Sequence, residues 1–147
     1  MRDRRNLVLL VGAVLIVLVG VGVAVIRSST GDSNGDPEGE WTVEAVVLDG
    51  QETPVLVGTM PTASFAGGEV QGSAGCNTFS GRYEIDGAKL TMGPLASTQM
   101  LCEEPAGVMD QETAYLTVLG EAESFTVDGD SLQIRASNDR RILFTRG

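Results

Sequence analysis

Histidine is absent from the 147 residues of this chain, and cysteine, lysine and tryptophan are scarce, at two, one and one. Without histidine there is no Ser-His-Asp or Cys-His constellation, no imidazole ligand for zinc, and no access to the commonest general base. The two cysteines, Cys76 and Cys102, lie far apart and form no Cys-x-x-Cys pair for thiol–disulfide exchange. Cys76 has no cation among its following neighbours before Arg82 to lower its pKa and make it a nucleophile. Phosphate loops are missing as well. Gly67-Gly68 and the Gly72/Gly75 pair follow strand-like runs, but no helix with an early lysine begins after them. Asp128-Gly129-Asp130 is only a fragment of a calcium loop, and a turn accounts for it. These absences lead us to expect no catalytic residues, no cofactor and no metal.

Basic residues are also few. Five of the twenty acids and four of the ten bases precede Trp41, leaving fifteen against six, a net charge of −9, from there onward. That balance argues against nucleic acid or an anionic lipid surface as partner, and it describes a well-solvated acidic surface. A hydrolase or transferase built on paired carboxylates would need two inward-facing acids, and the strand pattern puts nearly every acid on a polar face.

What the chain does have begins with an apolar run. Residues 7–26 (LVLLVGAVLIVLVGVGVAVI) carry no charge, and as a helix they span about 30 Å, the thickness of a bilayer core. Arg2, Arg4 and Arg5 precede the run, whereas only Arg27 follows it before a series of acids. This excess predicts a single-pass anchor in the cytoplasmic membrane, with residues 1–6 inside and the C-terminal part outside. A cleaved signal peptide, with Gly22-Val23-Ala24 as its site, is the alternative, and it too exports the domain. No cysteine follows the run closely, which excludes lipid attachment there. Gly20 and Ala24 stand at the spacing of a helix–helix contact, although ordinary membrane-helix glycine is the preferred explanation. Residues 27–40, rich in Gly, Ser, Asp and Pro, are expected to be a flexible linker. Residues 41–147 are long enough for one domain with one core.

That domain reads as α+β, mainly antiparallel β. In Trp41, Val43, Ala45 and Val47 against Thr42 and Glu44 the period is 2, which predicts a strand with those four residues on one face. Val55, Leu56 and Val57, between two prolines, suggest an edge strand or an ordered loop. Hairpins are expected around Gly67-Gly68, Asp86-Gly87 and Asp128-Gly129, and a further turn at Ser137-Asn138-Asp139 leads to a last strand with Ile142 and Phe144. One helix is expected over 105–119. Pro105 suits its first turn, and Val108, Met109, Glu112, Tyr115, Leu116 and Leu119 fall at three- and four-residue steps before Gly120. Its apolar stripe would close one side of a curved meander.

The densest signals lie between Gly72 and Cys102. Gly72, Gly75 and Gly81 surround Cys76 and Asn77, and glycine so spaced marks positive φ or close backbone approach. Asn77 can hold such a turn through its side chain. Cys76 and Cys102, both beyond the apolar run, are expected to form a disulfide in an oxidising compartment, the alternative being two buried thiols.

The run GSAGCNTFSGRY, with Gly72, Gly75, Cys76, Asn77, Phe79, Gly81 and Tyr83, resembles the G-x-x-G-C-N-x-[FY]-x-G-x-Y signature of the META domain, the family of the HslJ-type heat-shock proteins. Thr98-Gln99-Met100-Leu101-Cys102 matches its T-x-M-x-C segment, with Thr98, Met100 and Cys102 in place. Trp41 and the Glu112, Tyr115, Leu119 series also agree, so the resemblance covers nearly everything beyond the linker. It implies a small, incompletely closed β-barrel with one helix packed across it. It also implies an envelope or secreted protein associated with stress tolerance, without established catalytic residues. The apparent membrane helix departs from the lipid anchor many members carry. The expected function is therefore a membrane-anchored, non-enzymatic domain that binds an unidentified envelope protein. The alternative is a binder of an apolar, lipid-like ligand inside the barrel.

Overall fold

A computed structural model describes residues 34–147. The expected cytoplasmic residues 1–6, the membrane helix over 7–26 and the first half of the expected linker, 27–33, lie outside the described residues.

Among the described residues, ten strands and one helix follow in order: β1 Gly39–Leu48, β2 Gln51–Pro54, β3 Thr62–Ala66, β4 Glu69–Ser73, β5 Thr78–Asp86, β6 Lys89–Met92, β7 Ala96–Ser97, α1 Val108–Gly120, β8 Ala122–Asp128, β9 Ser131–Ala136 and β10 Arg141–Arg146. The expected hairpins form where their turn residues stand. Gly67 and Gly68, Gly87, Gly129, and Asn138 and Asp139 all have positive φ, the backbone that matches the right-handed twist of the flanking strands.

The meander closes on itself. The hydrogen-bonded order runs β1, β3, β4, β5, β6, β8, β9, β10, and β10 pairs back onto β1 from Trp41↔Arg146 to Val47↔Arg141. This corrects the expectation of an incompletely closed barrel. The reason is the length of β1: at 10 residues it offers one edge to β10 and divides the other between β3 and β2. Closure removes the free edges that would otherwise invite pairing with other chains. The thinnest seam is β6–β8, joined at Lys89↔Ser124 and by the Phe125 N–H donating to Ala88 O at 3.0 Å.

A second correction lies within β1. Its register against β10 slips between Val43 and Ala45, so Val43 faces Phe144 whereas Val46 faces Ile142. Partners directly opposite share a face, so the bulge turns Val46 into the core and removes Ala45 and Val47 from the face of Trp41. The core cluster accordingly contains Trp41, Val43 and Val46 but neither Ala45 nor Val47, although both are buried.

The domain also begins earlier than Trp41. Asn34, Pro37 and Glu38 of the expected linker are docked on the barrel. The Asn34 side chain donates to Phe125 O and accepts from the Val127 N–H, both at 2.8 Å, as a strand peptide would. Trp41 Nε1 donates to Pro37 O at 2.7 Å, and Glu38 accepts from the Gly67 N–H at 2.9 Å. The sequence offered no apolar residue there, and polar docking onto free backbone groups leaves no hydrophobic trace.

Strand directions place the Gly67-Gly68, Gly87 and Gly129 turns, together with Asn34, at one end of the barrel. The loop 74–77 lies at the other, where α1 packs across the opening. The helix starts at Val108 rather than 105, after the turn closed by the Val108 N–H on Pro105 O. Gly72 marks the tightest approach, since a Cβ there would fall inside the Thr62 carbonyl. Gly72→Ala is therefore expected to lose about 1–3 kcal/mol in urea unfolding, as overpacked sites do. An unchanged midpoint would show that β3 and β4 are not so close.

Candidate functional site

The signature residues converge at the helix end of the barrel, on one buried pair. Asn77 is 2% exposed and Glu112, from the second turn of α1, is 6% exposed. The Asn77 Nδ2 donates to Glu112 Oε1 at 2.6 Å and to Met100 O at 3.0 Å. Its Oδ1 accepts from Thr98 Oγ1 at 2.8 Å and from the Met100 N–H at 2.7 Å. Every hydrogen-bonding position of the amide is thereby used. Glu112 Oε2 accepts from the Asn77 N–H at 2.7 Å and the Cys76 N–H at 3.2 Å. One carboxylate thus satisfies three N–H groups of a loop that has no strand partner. Buried polar groups persist when they are satisfied in this way.

Local chemistry makes the loop. Gly75 has φ +116°, and a Cβ on it would press on Gln111 Nε2 and Val108 Cγ2 at 3.4 Å, so only glycine lets the chain turn against the helix. The Ala74 N–H returns to Asn77 O at 2.7 Å. Cys76 and Cys102 form a disulfide with a Cα–Cα distance of 5.9 Å, which staples the loop to the segment that follows Met100. Gln111, beside Glu112, takes the Leu56 N–H on its Oε1 at 2.6 Å and donates to Thr59 Oγ1 at 3.0 Å. The helix therefore holds loops 55–61 and 74–77, and Asn77 and the disulfide extend that hold to 98–102.

The remaining signature residues serve packing. Phe79 and Phe144 meet Tyr115 edge to face at 5.6 and 6.2 Å, and Phe65 meets Tyr83 at 5.2 Å. Gly81 lets Leu95 and Pro94 cross β5. Burial pushes the Tyr115 phenol far above its ordinary pKa, and its O–H donates to Thr62 O at 3.1 Å. The Tyr83 phenol is raised too, first by burial and then by the carboxylates of Glu38 and Asp36. Together with Leu90, Leu132, Ile134 and Ile142 these rings form one buried core cluster. Two depressions, about 520 and 680 Å³, lie on the outer face of β3–β5, sharing Ser64, Gln71, Ser80 and Ala96, and a third of about 570 Å³ lies between Leu95 and Leu116 of the helix.

The sequence places Glu112 in the helical stripe but not its role as the loop's acceptor, for which a carboxylate inside an otherwise apolar stripe is a detectable signal. Gln111 has none, because its partners are main-chain groups and a hydroxyl more than fifty residues away. The structure also separates Met100 from the core. Its main chain is bound by Asn77 while its side chain is 57% exposed. Val57 (96%), Met60 (72%) and Leu101 (88%) are likewise exposed on the loops held by the helix.

Residues 36–147 match the family model of the META domain. No curated protein matches the chain. Among solved structures, the chain is similar to the NMR structure of a protein from Burkholderia xenovorans at 26% identity, with a TM-score of 0.65 over 75% of this chain and 82% of that one. A second NMR structure shares 23% identity at a TM-score of 0.57, covering 74% of this chain and 88% of the other. A DUF4847 family crystal structure from Bacteroides vulgatus shares 14% identity at 0.53, covering 75% and 93%. The last two show the fold alone.

Proposed function

This chain belongs to the META domain family, and from that premise we propose that it is a non-catalytic binding module, held by its N-terminal apolar run on the outer side of the cytoplasmic membrane, that engages an envelope protein through the helix end of its barrel. One observation carries the reading: four exposed apolar side chains, Val57, Met60, Met100 and Leu101, sit on loops whose main chains are fixed from beneath. Holding apolar groups rigidly in water gains nothing for folding, whereas a preorganised apolar rim lowers the ordering cost of binding. The polar groups nearest the rim support a non-catalytic role. Both cysteines are joined, and both Glu112 oxygens are occupied by N–H donors. Asn34 lies at the opposite end, so the rim points away from where the chain enters the barrel. A role in envelope stress tolerance or maintenance follows from the family resemblance. The apolar-ligand alternative would have to find its space among the packed side chains of the core cluster.

Placing a photo-crosslinking residue at Leu101 in intact cells is expected to yield a discrete protein adduct, and the same residue at Lys89, at the turn end, is expected to yield none. Lipid adducts alone, or equal labelling at both positions, would overturn the proposal.

A further inference from the structure

The charge around the rim narrows its partner. Segments 55–61, 74–77 and 94–121, which build the helix end, contain no lysine or arginine. They expose Glu103, Glu104 and Asp110 beside Met100, Leu101 and the first turn of α1. The ion pairs among the described residues lie elsewhere: Arg82 with Glu69, Arg140 with Glu121, and Arg146 with Asp130. Among the described residues, three rim acids thus have no cation of their own, next to four apolar side chains that have no cover.

We infer that the rim docks a cationic apolar segment of a partner protein, one whose aliphatic side chains cover Val57, Met60, Met100 and Leu101 while its Lys or Arg residues meet Glu103, Glu104 and Asp110. The inference rests on the reading of the rim as a protein-binding surface and adds the chemistry of what binds. A second copy of this chain would bring the same acids against themselves, and like charges brought together disfavour a complex. An anionic bilayer is repelled for the same reason. A neutral apolar segment would cover the aliphatic groups but take water from the acids without replacing it, and unpaired charge is costly to bury. Only a segment carrying both features satisfies both sets of groups.

The test uses the full chain in phosphatidylcholine nanodiscs, with empty nanodiscs as control, and labelled synthetic peptides read by fluorescence anisotropy. The probe is a peptide of alternating leucines and lysines. One comparison peptide has glutamate for every lysine, and another has serine for every leucine. The leucine–lysine peptide is expected to bind, and both comparison peptides to bind at least about tenfold more weakly. Leu101→Ser and the double variant Glu103→Gln/Glu104→Gln should each weaken binding roughly five- to tenfold. The loss for the charge variant should shrink at high salt, where these exposed charges are screened. All three positions are exposed, so unchanged Trp41 fluorescence and urea midpoint will confirm that the variants fold. Equal binding of the glutamate peptide, or no effect of the charge variant, overturns the inference. If the Leu101 crosslink nevertheless forms, the protein-binding reading survives that result; if the crosslink is absent too, both fall. Self-association of the full chain lost in Leu101→Ser would instead identify a second copy as occupant. Co-flotation of the rim with phosphatidylglycerol vesicles, also lost in Leu101→Ser, would identify lipid.

Discussion

Glu112→Ala is expected to cost the domain about 3–5 kcal/mol, enough to bring a typical domain close to unfolding. The substitution strands three donors, the N–H groups of Cys76 and Asn77 and one N–H of the Asn77 amide, in a site where both side chains are nearly inaccessible. Each unsatisfied buried donor costs about 1–3 kcal/mol, and the cavity left by the side chain adds to that. Glu112→Gln should recover only part of the loss. Its amide can offer one oxygen to these donors but turns its NH2 toward the others. Because Asn77 and Glu112 work as a unit, Asn77→Ala combined with Glu112→Ala should cost less than the sum of the two single changes. Urea unfolding followed by Trp41 fluorescence reads all four variants, Asn77→Ala included. A loss below about 1 kcal/mol for Glu112→Ala would mean that water replaces the carboxylate and that the pair does not hold the loop.

Removing the disulfide ranks next. Cys76→Ala/Cys102→Ala is expected to lose about 3.5 kcal/mol, from the chain entropy released when a loop of this length is opened in the unfolded state. The sequence separation is 26 residues. Since the effect acts on the unfolded chain, the slope of the urea transition should rise as that chain expands. The native hydrogen bonds of Asn77 should persist, because they are made by groups other than the sulfurs. A smaller loss with an unchanged slope would place the disulfide's contribution in the folded state. Combined with Glu112→Ala, the two losses should add, because one acts on the unfolded chain and the other on the folded loop.

Legibility differed between elements for reasons that can be named. The β3–β4, β5–β6 and β8–β9 hairpins were readable because each pairs residues a few positions apart, with period-2 patterning and turn residues together in one short window. The helix was readable from its apolar stripe, apart from Val118, which is buried beside that stripe, and its start, which Pro105 shifted. The disulfide followed from having only two cysteines beyond the apolar run. The candidate site was half legible. Its motif residues stood out, but their joint purpose depended on Glu112 and Gln111, whose partners lie about 35 to 55 positions away.

The sequence by itself determined the family, the order of strands and helix, the cysteine pair and the acidic surface, since each depends on residue type or on neighbours near in the chain. Tertiary structure alone decided barrel closure, the inversion of Ala45 and Val47, the docking of Asn34 and Pro37, and the capture of loop 74–77 by the helix. Those outcomes turn on which backbone groups lack a partner once the sheet has curled. The first strand meets the last across about a hundred residues, and no local pattern records where two such edges will register.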